Sequence, residues 1–114
     1  MNKKLLVYLA GPYTHPDPSE NTNWAIRTAN MLWDAGFLVY VPHLMHLWHV
    51  VSPKPYDEWL TMGKEMVRRC DAVFRLTGES RGADEEVELA KREGIPVFYN
   101  FTELRRWADE ETVL

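Results

Sequence analysis

The sequence predicts an α/β fold, with a small parallel sheet of about four to five strands covered by helices on both faces. Three observations predict it. Apolar, strand-like runs at residues 4–10, 37–41, 71–76 and 95–99 alternate with helical patterns at about 20–35, 56–69, 82–93 and 102–108. The runs Leu5-Leu6-Val7-Tyr8-Leu9-Ala10 and Asp71-Ala72-Val73-Phe74-Arg75-Leu76 read as strands buried inside the molecule. Glycines and prolines stand between the periodic segments, where turns are needed.

The first strand ends at Gly11-Pro12. Its Met1-Asn2-Lys3-Lys4 start has a superficial likeness to a signal peptide, but the apolar run is too short for a membrane span and reads better as a strand. The connection Gly11-Pro12-Tyr13-Thr14-His15-Pro16-Asp17-Pro18 carries three prolines within seven residues, which stiffen it and keep it out of the following helix. In that helix Ala25, Ala29, Leu32 and Trp33 recur at helical spacing, and Gly36 supplies the stop. A second long connection runs from Val41-Pro42-His43 through Leu44-Met45-His46-Leu47-Trp48-His49 to Pro53 and Pro55. Its apolar residues make it a candidate lid or dimer surface at the carboxyl edge of the sheet. The third strand leads through a small-residue turn at Ser80 into a helix that stops at Gly94, with Pro96 just beyond. Thr102 is a plausible N-cap for the last helix, and Asp109-Glu110-Glu111 reads as a solvated, fraying end.

Composition bounds the class. A chain of 114 residues without an internal repeat, low-complexity tract or linker is expected to form a single domain over residues 1–114. The lone Cys70 cannot form an internal bridge, which suits a reducing compartment, so a cytoplasmic location is expected and membrane association is not. The net charge is −4, with Lys and Arg spread along the chain, so binding to a nucleic-acid polymer is not expected. Five Trp and five Tyr exceed what a small core usually hides, so some should line a pocket or a subunit surface. Trp48, Tyr56, Trp59 and Trp107 are candidates for that surface, with core packing as the alternative.

The segment with most chemical content is Ser80-Arg81-Gly82-Ala83-Asp84-Glu85-Glu86-Val87-Glu88-Leu89-Ala90. Glu86 has Ala83 and Ala90 as helical neighbours and Val87 beside it, so its carboxylate borders the packed face, while Glu85 and Glu88 point elsewhere. In an open α/β sheet this places Glu86 at the rim of the ligand crevice. The plainer alternative is that Asp84, Glu85 and Glu86 only offset the helix dipole, worth roughly 0.3 to 1 kcal/mol each. Ser80 could donate to a bound anion or simply cap the helix. His43, His46 and His49 invite a metal reading, but there is no nearby Cys and no i, i+4 pair of the zinc-helix type; no metal is expected. GxGxxG, GxxxxGK[ST] and GxSxG are all absent, so no dinucleotide, ATP or serine-hydrolase chemistry is supported and no cofactor is expected.

Several motifs together resemble the nucleoside 2-deoxyribosyltransferase superfamily, most closely its small DUF4406-type proteins. They are Tyr8-Leu9-Ala10-Gly11-Pro12-Tyr13, Pro42-His43, Cys70-Asp71-Ala72-Val73, Ser80-Arg81-Gly82-Ala83-Asp84-Glu85-Glu86 and Gly94-Ile95-Pro96-Val97. The resemblance extends from Leu5 to about Asn100, and Ser-x-Gly-Ala-x-x-Glu is its most specific element. It implies a three-layer flavodoxin- or Rossmann-like fold and a related enzyme class, the 2′-deoxynucleoside 5′-phosphate N-hydrolases. It also implies a nucleoside or nucleotide as small-molecule partner, and a homodimer or larger homo-oligomer. Glu86 matches the nucleophile that attacks the anomeric carbon, and Tyr8 matches an active-site tyrosine that orients it. Gly11, Pro12, Tyr13, His43, Ser80, Gly82 and Ala83 fall at substrate-binding positions, Ser80 at one that binds a 5′-phosphate. One position departs from the pattern. Where relatives carry an aspartate eight residues before Asp71, in a Trp-Leu-x-x-Asp context, this chain has Gly63 after Trp59-Leu60-Thr61-Met62. Asp57 and Glu65 lack the expected spacing. The resemblance therefore implies an N-glycosidic hydrolase or deoxyribosyltransferase, and Gly63 favours the alternative of a weakly active or inactive nucleotide-binding module. A purely structural role for Glu86 and the aromatics is the third possibility.

Overall fold

The computed structural model describes residues 4–112; the basic start at residues 1–3 lies outside them. Among the described residues, strand β1 (Leu6–Ala10) is central. It pairs in parallel with β2 (Leu38–Tyr40) on one side and β3 (Ala72–Arg75) on the other, and β4 (Val97–Phe98) follows β3. The order β2-β1-β3-β4, all parallel, is flavodoxin-like.

Helices α1 (Pro18–Asp34), α2 (His46–Val51), α3 (Tyr56–Arg68), α4 (Arg81–Arg92) and α5 (Phe101–Thr112) connect or follow the strands. Period-two alternation along β1 sorts its side chains between two layers. Val7 and Leu9 pack with Ala25 and Leu32 of α1 and with Leu104 and Ala108 of α5. Tyr8 and Ala10 face the opposite layer, with Val67 of α3 and Ala83, Val87 and Ala90 of α4. Burial on both faces explains why this strand reads as an unbroken apolar run.

The segments expected from the sequence are present, with ends shifted by a few residues, and three local readings are corrected. Pro18 is the first residue of α1 rather than part of the loop. Asp17 caps the helix through Oδ2 at 2.9 Å from Glu20 N, and the first helical position needs no donor from proline. Asn100, not Thr102, caps α5: its Oδ1 accepts from Glu103 N at 2.9 Å, and the helix continues through Asp109, Glu110 and Glu111, which are exposed as expected. The connection after β2 is largely helical, a 3-10 turn at Pro42–Met45 followed by α2. Six residues are too few to establish a helical period in sequence. Gly36 and Gly94, at φ +102° and +74°, follow α1 and α4 in the left-handed conformation their stops require. No helix among the described residues is long and apolar enough to cross a membrane.

The connections after β1 and β3 meet above the sheet at the switch in strand order. A Cβ on Gly11 would lie 2.9 Å from Leu76 Cβ, and one on Gly78 2.8 Å from the Pro12 ring, so both contacts require glycine. Arg75, buried at the end of β3, ties this corner to α4. Its guanidinium donates to Leu76 O, to Gly78 O at 3.0 Å and to Asp84 Oδ1 at 3.0 Å.

Candidate active site

Tyr8 projects from β1 toward α3 and α4 and is fully buried. Its Oη–H donates to Glu86 Oε2 at 2.6 Å, across 78 positions of sequence. Glu86 is 8 % exposed, because Ala83 and Ala90 on its side of α4 pack against the sheet. Glu85 turns away to Lys64 (3.1 Å) and Arg81 (3.0 Å), and Glu88 is exposed.

Burial pushes the Glu86 carboxyl up to about 7, opposed by the Tyr8 hydrogen bond and the charges of Lys64 and Arg75. Tyr8 is raised well above the usual phenol range, first by burial and then by the Glu86 charge, so it remains a protonated donor. Gly63 of α3 faces this pair. A Cβ there would collide with Glu86 Oε2 and lie 2.8 Å from Tyr8 Oη, so the missing side chain is what gives the carboxylate its place. Tyr40 stacks on Tyr8 with ring centres 5.6 Å apart.

The pair opens into a cavity of about 280 Å³ at the carboxyl edge of the sheet. Of the residues expected at the site, Tyr8, Gly11, Tyr13, His43, Ser80, Gly82, Ala83 and Glu86 line it. Pro12 stands behind the wall. It is buried against Gly78, and its carbonyl accepts from His43 Nε2 at 2.9 Å. Since a carbonyl only accepts, His43 carries its proton on Nε2; Nδ1 has no hydrogen-bond partner, and burial lowers the pKa and keeps the ring neutral. Tyr13 Oη lies 2.5 Å from His46 Nδ1, and Asn21 fixes the Tyr13 loop by donating to Tyr13 O and His15 O, each at 2.9 Å. His49 Nδ1 accepts from Trp59 Nε1 at 2.8 Å and Lys54 N at 3.2 Å. Each histidine thus has its own partner, and among the described residues no group of three His, Cys, Asp or Glu side chains gathers into a metal-binding cluster.

At the start of α4, Ser80 Oγ accepts from Ala83 N at 3.1 Å and Ser80 O from Asp84 N at 3.0 Å, so Ser80 is the helix cap. The Tyr56 hydroxyl lies so close to Gly82 that a Cβ there would collide with it. Asp57 and Glu65 are exposed and do not line the cavity, and Glu65 pairs with Arg68 and Arg69. Trp59 lines the cavity, Trp48 and Tyr56 are about half exposed, and Trp107 packs against the core beside Phe98. Sequence reasoning missed Tyr40 and Lys54 on the wall. Tyr40 had a usable signal, since parallel pairing sets it in register with Tyr8 and hence on the same face; Lys54 had none.

The family model described as a domain of unknown function, DUF4406, matches residues 5–99. The chain belongs to the DUF4406 family. This DUF4406 chain superposes on a 2-desoxiribosyltransferase from Leishmania mexicana with a TM-score of 0.60 and 20 % identity, over 83 % of this chain and 62 % of that one. It therefore spans less than two thirds of the Leishmania protein. A 2-deoxyribosyltransferase from the psychrotolerant bacterium Bacillus psychrosaccharolyticus superposes with a TM-score of 0.54 and 22 % identity, over 81 % and 69 % of the two chains. At these identities the likeness establishes a shared fold. Among curated proteins, none gives a significant match.

Proposed function

We propose that this DUF4406 protein cleaves or exchanges the N-glycosidic bond of a nucleoside, with Glu86 as nucleophile. The observation that carries the reading is a buried carboxylate, held by Tyr8, on the wall of a cavity at the carboxyl edge of a parallel sheet. One Glu86 oxygen accepts from Tyr8, leaving the other to attack the anomeric carbon as the base departs. Water then releases the sugar, or a second base accepts it. Aromatic walls formed by Tyr13, Tyr40 and Trp59 suit a flat heterocycle. The names of the two superposed proteins, both deoxyribosyltransferases, support the reaction class. An unphosphorylated sugar fits best, because the α4 terminus is already occupied by the Ser80 cap and Tyr56. The reading extends to one domain acting in the cytoplasm as a homodimer or larger assembly, with exposed Trp48 and Tyr56 available for subunit contact.

Incubation with 2′-deoxynucleosides and their 5′-monophosphates, followed by chromatography of released or exchanged base, tests it. Turnover should fall at least about 10³-fold in Glu86→Ala, the scale at which loss of a covalent nucleophile is felt. Undiminished turnover in that variant overturns the assignment. A second reading, a nucleotide-binding module without turnover, is favoured by one observation: Glu86 is the only carboxylate among the described residues that line the cavity. Calorimetric binding with no base release would select it.

A further inference from the structure

The reaction above leaves His46 without a task. A base leaving a sugar departs as an anion unless a proton reaches its ring, and a positioned acid contributes about 10²- to 10⁴-fold. Gly63 puts no side chain beside Glu86, and Glu86 itself is used as nucleophile. The proton must come from another group on the wall, and the three histidines differ in what their partners permit. His43 is bonded to a carbonyl through Nε2, and a second ring proton would sit on a buried Nδ1 without a partner. His49 receives two N–H donors at Nδ1, which holds it as the neutral Nε2–H tautomer; protonating Nδ1 would break both bonds. His46 is bonded at Nδ1 to a hydroxyl, and a hydroxyl both donates and accepts. With its hydroxyl oxygen accepting from Nδ1–H, Tyr13 keeps the contact both in the imidazolium and in the neutral ring that has given up the proton on Nε2. Of the three, His46 alone keeps its anchor in both charge states without placing the second proton on a buried nitrogen that has no partner.

We propose that His46 is the general acid and base of this site, with Tyr13 as its positioning residue; the proposal rests on the nucleoside reading above. As a Glu86 oxygen bonds to C1′, the C1′–N bond breaks and its electron pair passes to the base, which takes the proton from His46 Nε2. Water then attacks C1′ and gives its proton to His46 Nε2, and Glu86 leaves with the electron pair of the ester. Nucleoside and water become base and free sugar, with no oxidant or reductant.

The test compares 2′-deoxyguanosine with N7-methyl-2′-deoxyguanosine, whose base leaves without needing a proton. His46→Gln should lose about 10²- to 10⁴-fold in kcat on the first compound and less than about 10-fold on the second. Retained turnover of the methylated compound also shows that the variant is folded; if circular dichroism shows His46→Gln unfolded, His46→Asn is measured in its place. Tyr13→Phe should show the same selective loss, but smaller. Equal losses on both compounds, or no loss on either, overturn the role of His46. Glu86→Ala should lose both substrates. Full turnover in Glu86→Ala overturns Glu86 as the nucleophile, wild-type protein inert on both compounds overturns the nucleoside reading itself, and either result takes this proposal with it.

Discussion

At the scale of residues, Glu86 and Gly63 make opposite contributions to one contact. The Glu86 carboxyl sits at about 7 in the folded protein because burial penalises its charge, whereas an unfolded chain ionises it near 4.5. Between those values the folded state holds a proton that the unfolded state has lost, so stability is greatest below the lower value and falls as pH rises through the upper one. Glu86→Gln removes this loss. Thermal melts should show the variant gaining on wild type by on the order of 1 to 3 kcal/mol between pH 4.5 and pH 8, and a constant difference would refute the buried carboxyl. On the proposed function, wild-type turnover of N7-methyl-2′-deoxyguanosine, which needs no proton from the site, should rise over the upper part of that range as Glu86 ionises. Gly63→Ala tests the other partner. Its methyl group must displace Glu86 or Tyr8, and a shift of about 1 Å at reacting atoms costs on the order of 10²-fold, so kcat should fall by that scale while the protein stays folded.

At the scale of elements, α4 shows how much of the site is local. The Ser80 cap, the Ala83–Val87–Ala90 packed stripe and the Gly94 stop are consecutive signals, and each is where its periodicity puts it. Ser80→Ala should cost about 1 kcal/mol in urea unfolding, the usual value of an N-cap; a cost near zero would mean that the cap adds nothing to stability. The same α4 signals were sufficient to place Glu86 on the rim. The 3-10 turn and α2 were not legible in this way. They are short, and their outward side keeps Leu47, Trp48, Val50 and Val51 exposed, so no apolar face marks the inner side where His43, His46 and His49 meet their partners.

At the scale of the whole molecule, the cavity exists because the connections after β1 and β3 pack on each other over the switch in strand order. Arg75 is the tie between that corner and α4, donating to two carbonyls and to Asp84. Arg75→Met keeps the stem but leaves the Leu76 and Gly78 carbonyls without their donor. It should destabilise the fold by on the order of 2 to 4 kcal/mol and, on the proposed function, weaken nucleoside binding, measurable by denaturant titration and calorimetry. A variant as stable as wild type would show that water replaces the guanidinium at no cost.

The sequence by itself determined the α/β class, the parallel strands, the helix stops and the placement of Glu86 on a packed helix face. These follow from periods of two and 3.6 and from caps within a few residues, which any short window contains. Tertiary structure decided what those pieces do together. Strand register brought Tyr8 under Glu86 and Tyr40 beside Tyr8. Helix packing turned Gly63 from a departure in a motif into the space that the carboxylate occupies. The partners of the three histidines, a carbonyl, a hydroxyl and a pair of N–H groups, come from elements that no local pattern connects, so their different chemistry became visible only once the chain had folded.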